Sequence, residues 1–98
     1  MKKFEWDDEK HRINIEKHKV DFIDIIELFR SHLLHIEDTR ADYGEKRIIG
    51  FGYLYSRLMV VVYTEPDPNI TRIVSARKAN NREGEFYEKA IKDRLESN

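Results

Sequence analysis

From residue 33 onward the chain is a series of strand-length runs, "LLHIED", "RIIGFGYLYS", "RLMVVVYTE" and "ITRIVSARKA", rich in Val, Ile, Tyr and Phe. Only the turn-prone segments "RADYGE", "SR" and "PDPN" separate them. Connections this short make neighbouring runs antiparallel, because a parallel pair needs a crossover of about a dozen residues or more. The "LMVVV" run lacks clean alternation, which marks it as the most buried strand.

The segment before residue 33 has a different period. "FEW" places Phe4 and Trp6 on one face of a short strand. Asp7 is a helix cap, with Asp8 and Glu9 in the first turn and Lys17, His18 and Lys19 in the last, each matching the local sign of the helix dipole. Lys10, Asn14, Lys17 and His18 share one side of that helix. A second helix opens at Asp21, and Phe22, Ile25, Ile26 and Phe29 recur at helical spacing as its core face. After the four strands, "NNREGEFYEKAIKDRLE" reads as a terminal helix, with Gly84 costing it about 1 kcal/mol relative to alanine. The expected fold is α+β: an N-terminal strand, two helices, a four-stranded, mostly antiparallel sheet and a C-terminal helix.

Ninety-eight residues fit one domain, spanning 1–98, and 40% hydrophobic with 38% charged residues describe a globular chain with a heavily solvated surface. The absence of cysteine excludes thiolate chemistry and fits a cytoplasmic protein. "MKKFEWDDEK" has no apolar signal region and no run approaches the length of a membrane span, so no membrane association is expected. His11 and His18, and the pair His32 and His35, lack a third ligand at a recognisable spacing. "GFG" at 50–52 lies inside a strand, where it marks a bulge or a close contact and not a phosphate loop. No metal or other cofactor is expected.

The net charge of −1 conceals an uneven distribution. Residues 1–38 hold seven Lys/Arg against ten Asp/Glu, residues 39–82 eight against four, and residues 83–98 three against five, or −3, +4 and −2. Within the basic block, "ITRIVSARKANNRE" carries Arg72, Arg77, Lys78 and Arg82 before its first acid, Glu83. Guanidinium groups suit phosphate because their planar fork donates two hydrogen bonds to two oxygens and stays charged. Arg47 can join them from a neighbouring strand. Strict alternation, however, turns Arg72 and Arg77 to opposite faces unless the strand bulges or ends first. A solvated edge strand guarded by Lys and Arg is the competing reading. Tyr53, Tyr55, Tyr63 and Tyr87 could stack bases beside these cations, or serve as ordinary strand filling.

"FEWDDEKHRINIEKHKVDF", "GEKRIIGFG" and "IVSARKANNREGEFYE", in that order, resemble the BrnT family of type II toxin–antitoxin toxins over nearly the whole chain. The resemblance implies a RelE-like ribonuclease fold and an RNA-cleaving toxin that inhibits translation and arrests growth. It also implies neutralisation by a ribbon-helix-helix antitoxin of the BrnA type, in a complex that binds its own promoter DNA through the antitoxin. One departure stands out: Lys19 occupies the position where the family pattern has a helix-ending glycine. Metal-free RNA cleavage needs a base for the 2′-hydroxyl, cations for the phosphorus oxygens and an acid for the leaving 5′-oxygen. The expected catalytic set is Arg72 and Arg77 on the phosphate, Glu45, His18 and Lys17 for proton transfer, and Tyr87 to donate or position. Arg47, Lys78, Arg82 and Tyr63 are the expected substrate contacts. A non-catalytic nucleic-acid-binding or partner-binding module would use the same basic strand.

Overall fold

A computed structural model describes residues 2–96. In chain order the elements are β1 (Lys3–Glu5), α1 (Asp8–His18), α2 (Phe22–Ile25) continuing into a 3-10 segment (Ile26–Arg30), β2 (Leu34–Asp38), β3 (Arg47–Leu54), β4 (Arg57–Asp67), β5 (Ile70–Lys78) and α3 (Asn81–Glu96). The sheet runs β1-β5-β4-β3-β2. All four expected strands form, and their hairpins are antiparallel. The N-terminal strand joins them, parallel to β5, so the sheet is five-stranded and mixed. The β3–β4 turn puts Tyr55 at φ 57°, the sign that primed hairpin turns require at their first central position.

Helices α1 and α2 cover one face, where Met59, Val61 and Tyr63 of β4 meet Ile48, Ile73, Ala76, Phe22, Ile25 and Leu28. The second helix departs from its expected form. Its buried positions are Phe22, Ile25 and Leu28, three apart, while Ile26 and Phe29 are half-buried. A 3-10 segment has three residues per turn, so residues i and i+3 eclipse and the inward face moves from the 3.6-residue pattern to a three-residue one. The glycines of "GFG" mark close contacts rather than a bulge. A Cβ on Gly52 would lie 2.7 Å from Leu33 Cδ2, and one on Gly50 3.2 Å from Tyr63 and Val61.

Helix α1 is attached by polar groups. Ile13 and Ile15 are exposed, and the only buried residue of the helix is Asn14. Its amide donates to Ala76 O (2.8 Å) and Val20 O (3.0 Å), while its oxygen accepts from Ala76 N (3.0 Å). β1 pairs β5 only at residues 70–72, and Asn14 acts as a one-residue strand on the same edge further along. At the other end of the helix's reach, His11 stacks on Phe22 at 5.2 Å and bonds Asp21 at 2.7 Å, with Trp6 edge-on to both rings.

β5 carries a bulge. Val62 pairs Ser75 while Tyr63 pairs Ile73, which leaves Val74 as the extra residue. Ile73 and Ala76 therefore both face the α1/α2 core although they are three apart. Beyond β5, Asn80 and Glu83 form a capping box at the start of α3: Glu83 N donates to Asn80 Oδ1 (2.8 Å) and Asn80 N to Glu83 Oε1 (3.0 Å). α3 crosses the second face of the sheet, where Tyr87 and Ala90 pack on Leu34, Phe51 and Val60.

Two outcomes follow for stability. Asn14→Ala strands two carbonyls and one N–H in a buried site, so its urea midpoint should fall by the equivalent of about 2–4 kcal/mol. Lys19 does adopt the left-handed cap (φ 59°, ψ 31°), its N–H bonded to Ile15 O at 2.9 Å. Lys19→Gly removes the Cβ penalty at that position and should raise stability by about 0.5–1 kcal/mol in the same denaturation assay.

Candidate active site

The bulge at Val74 decides what the second face carries. One extra residue between Arg72 and Arg77 cancels the odd spacing, so both arginines stand on the side away from α1. Arg72 is opposite Thr64 and Arg77 is opposite Val60. Arg47 points the same way, since its neighbour Ile48 faces the core opposite Tyr63. α3 covers the end of this face around Phe51 and Val60, and the arginines occupy the rest.

One line of side chains crosses all five strands on this face. Asp38 of β2 pairs Arg47 of β3, Thr64 of β4 is the next residue in register, Thr64 pairs Arg72 of β5, and Arg72 pairs Glu5 of β1. Most of its charges are balanced locally. Arg40 forks onto Asp38 (2.8 and 2.7 Å), and that hydrogen-bonded pair holds the buried Asp38 carboxyl far below the usual carboxylate range, helped by Tyr43. Arg72 Nε bonds Glu5 at 2.6 Å in an exposed pair. Arg47 lacks a carboxylate partner among the described residues; its guanidinium lies 4.1 Å from the centre of the Tyr43 ring. Its Nε and the Thr64 hydroxyl are buried and have no hydrogen-bond partner among the described residues.

Arg77 lies two steps along the same face, beyond Ser75, and has a second role. Its two terminal nitrogens bond the two oxygens of Glu83, each at 2.7 Å, which lowers the Glu83 pKa and raises that of Arg77. Because Glu83 also caps α3, this fork ties the helix to the sheet. Around the pair, Arg40, Ile49, Val62 and Ser75 line a depression of about 170 Å³.

The expected site residues thus separate into groups. Arg47, Arg72 and Arg77 share the second face. Lys17 and His18 lie with Lys10 along the outer edge of β5, in a neighbouring depression that meets the first one at Ser75. Glu45, in the β2–β3 loop, shares a depression with Thr64 and Glu65. Lys78 is exposed at the end of β5, and Arg82 is exposed in the first turn of α3. Tyr87 is on the underside of α3, edge-on to Tyr53 at 5.6 Å. Tyr63 is not on the exposed face: its ring is packed in the core edge-on to Phe29, and burial pushes its hydroxyl up to about 12. The parity of β4 turns it inward while Thr64 turns outward.

Thr64, Tyr43, Arg40 and Asp38 escaped the sequence reading, since a threonine in a strand and charges in a turn are unremarkable there. The clasp at Glu83 left a usable trace, the Asn80-x-x-Glu83 spacing of a capping box.

A family model for the ribonuclease toxin BrnT of type II toxin–antitoxin systems matches residues 6–83. The crystal structure of the Brucella abortus ribonuclease toxin BrnT is similar to this chain with a TM-score of 0.67 and 28% identity, over 83% of this chain and 100% of that one. Comparison with curated proteins gives no match. With more than half of its length matched by the family model, this chain belongs to the BrnT family of ribonuclease toxins of type II toxin–antitoxin systems.

Proposed function

We propose that the chain is an endoribonuclease that cuts RNA without a metal, leaving a 2′,3′-cyclic phosphate and a 5′-hydroxyl, and so inhibits translation. The observation that carries the proposal is the β5 bulge, which assembles Arg47, Arg72 and Arg77 on one half-covered sheet face. Guanidinium groups on this face can bind a phosphodiester and stabilise the charge that builds on its oxygens during in-line attack by the 2′-hydroxyl. Arg82, exposed in the first turn of α3, extends the cationic path for the RNA strand, whereas Lys78, paired with Met59, has the parity of the α1/α2 side of the sheet.

Proton transfer falls to groups at the margins of this face. Glu45 borders Thr64 at one end, and Lys17 and His18 border Ser75 at the other. The His18 imidazole has two ring nitrogens that can donate or accept a proton and is suited to either acid or base duty. Tyr87 acts indirectly, supporting the sheet through Tyr53.

Membership of a type II system implies an antitoxin. We assign it the ribbon-helix-helix, BrnA-like type, binding promoter DNA on behalf of the complex, in the cytoplasm. Among the described residues no helix is long and apolar enough to cross a membrane.

Induction without antitoxin should arrest bacterial growth and yield RNA fragments with cyclic phosphate ends. The purified chain should cut RNA equally well in EDTA. A folded Arg72→Gln, Arg77→Lys variant should lose about tenfold or more in cleavage rate, as expected when oriented charge-assisted bonds to a phosphate are lost. Intact RNA and normal growth with the native sequence would favour a binding module.

Arg77 needs a structural control because it holds α3. Glu83 is depressed below its ordinary value of 4.5, so its ion pair contributes stability above that pH and loses it as pH falls through the lower folded value. The stability gap between the native chain and Arg77→Ala, measured by urea unfolding, should therefore be widest near neutrality and narrow steadily below about pH 4.5.

A further inference from the structure

We propose that the scissile phosphate sits between Arg47 and Arg72, over the hydroxyl of Thr64, and that Thr64 is a substrate-binding residue. This rests on the ribonuclease reading above and specifies where on the face the phosphate lies.

The first argument is position. Thr64 is on β4, the central strand, with Arg47 next in register on β3 and Arg72 directly paired on β5. Adjacent strands are about 4.8 Å apart, so the strands that carry the two arginines flank the one that carries the hydroxyl. Three donors then converge on a single anion.

The second argument is unmet hydrogen bonding. Thr64 is only 3% exposed, and neither its Oγ1 nor the buried Nε of Arg47 has a partner among the described residues. Buried polar groups are nearly always paired, so each exception calls for an explanation such as a ligand or a water; Thr71 Oγ1 is a third such atom. A hydroxyl and a guanidinium N–H on neighbouring strands of one face can both donate, which suits an acceptor-rich, anionic ligand.

The third argument is the state of the other cations. Arg77 and Arg40 are each held by a two-pronged carboxylate fork. Arg72 has only the exposed Glu5, a pairing that contributes little in water and is readily exchanged for a phosphate. Arg47 has no carboxylate to release among the described residues; Tyr43 supports its guanidinium from one side. Arg77 remains engaged with α3 while Arg47 and Arg72 take the phosphate.

The probe for binding is a 2′-O-methyl oligoribonucleotide, which keeps the phosphodiester and cannot be cut; inorganic phosphate serves as a separate arm. Thr64→Val preserves shape and removes the hydroxyl. It should leave the thermal midpoint unchanged or higher, because the hydroxyl has no protein bond to lose, while weakening oligonucleotide binding and slowing RNA cleavage, each about tenfold. Arg47→Gln should weaken binding at least as much and flatten its salt dependence. Glu5→Gln should tighten binding by freeing Arg72. Phosphate alone should compete weakly with the oligonucleotide in the native chain and not at all in Arg47→Gln.

If Thr64→Val and Arg47→Gln bind and cut like the native chain while Arg77→Lys fails, the seat is at Arg77 and the proposal is overturned with the ribonuclease reading intact. If Thr64→Val lowers the thermal midpoint and leaves binding unchanged, the hydroxyl is structural and the proposal is likewise overturned. A native chain that neither binds nor cuts RNA would overturn both.

Discussion

The amide of Asn14 is the constraint on which the arrangement depends. α1 has no apolar stripe to seat it, since Ile13 and Ile15 face outward, and one side chain ties it to the sheet through two hydrogen bonds with Ala76 and to the α1–α2 link through a third, to Val20. Those bonds complete the edge of β5 at Ala76, past the point where β1 stops pairing. Without them the edge N–H and carbonyl would be enclosed and unpaired, which folded chains rarely tolerate. Fixing Ala76 toward α1 also fixes the parity of the rest of β5. Because Ile73 faces the same core, the strand accommodates an extra residue at Val74 between them.

That extra residue links packing to chemistry. A regular strand would have turned Arg72 and Arg77 away from each other; the bulged one presents both beside Arg47. Bulges commonly re-aim side chains next to active sites, and here the re-aiming is enforced by a helix docked on the opposite side of the sheet. The carboxylates then sort the arginines by task. Glu83 holds Arg77 and, through the capping box, the start of α3; Asp38 holds Arg40; Glu5 holds Arg72 only loosely in water. Arg47 alone in this group rests on an aromatic ring. A protein of net charge −1 can thus keep a concentrated cationic face, because most of its acids lie elsewhere or act as clamps within it.

Membership of the BrnT family accords with such a face. Ribonucleases that use the RNA's own 2′-hydroxyl need oriented charge and proton donors more than a built nucleophile. A sheet supplies that orientation well: five strands give fixed spacings of about 4.8 Å, and side chains in register across them form a rigid row. Function at this level belongs to the site rather than to the α+β layer that supports it.

Taken alone, the sequence determined the order of the elements, the four strands and their hairpins, the cap residues Asp7 and Asp21, and the family, because those signals are local in spacing and composition. The lysine at position 19, in place of a glycine, argued for a different helix ending, yet Lys19 itself takes the left-handed cap. Local spacing misplaced the face of the second helix, where a 3-10 segment replaced a 3.6-residue turn and brought Leu28 inward. It also left Tyr63 and Thr64 undistinguished, although one is core and the other faces the arginines. Tertiary structure alone decided the bulge at Val74, the shared face of Arg72 and Arg77, and the unmatched hydroxyl between Arg47 and Arg72. Each depends on contacts between residues far apart in the chain, above all Asn14 with Ala76, and no window of neighbouring residues contains the hydrogen bonds that settle which way a strand must turn.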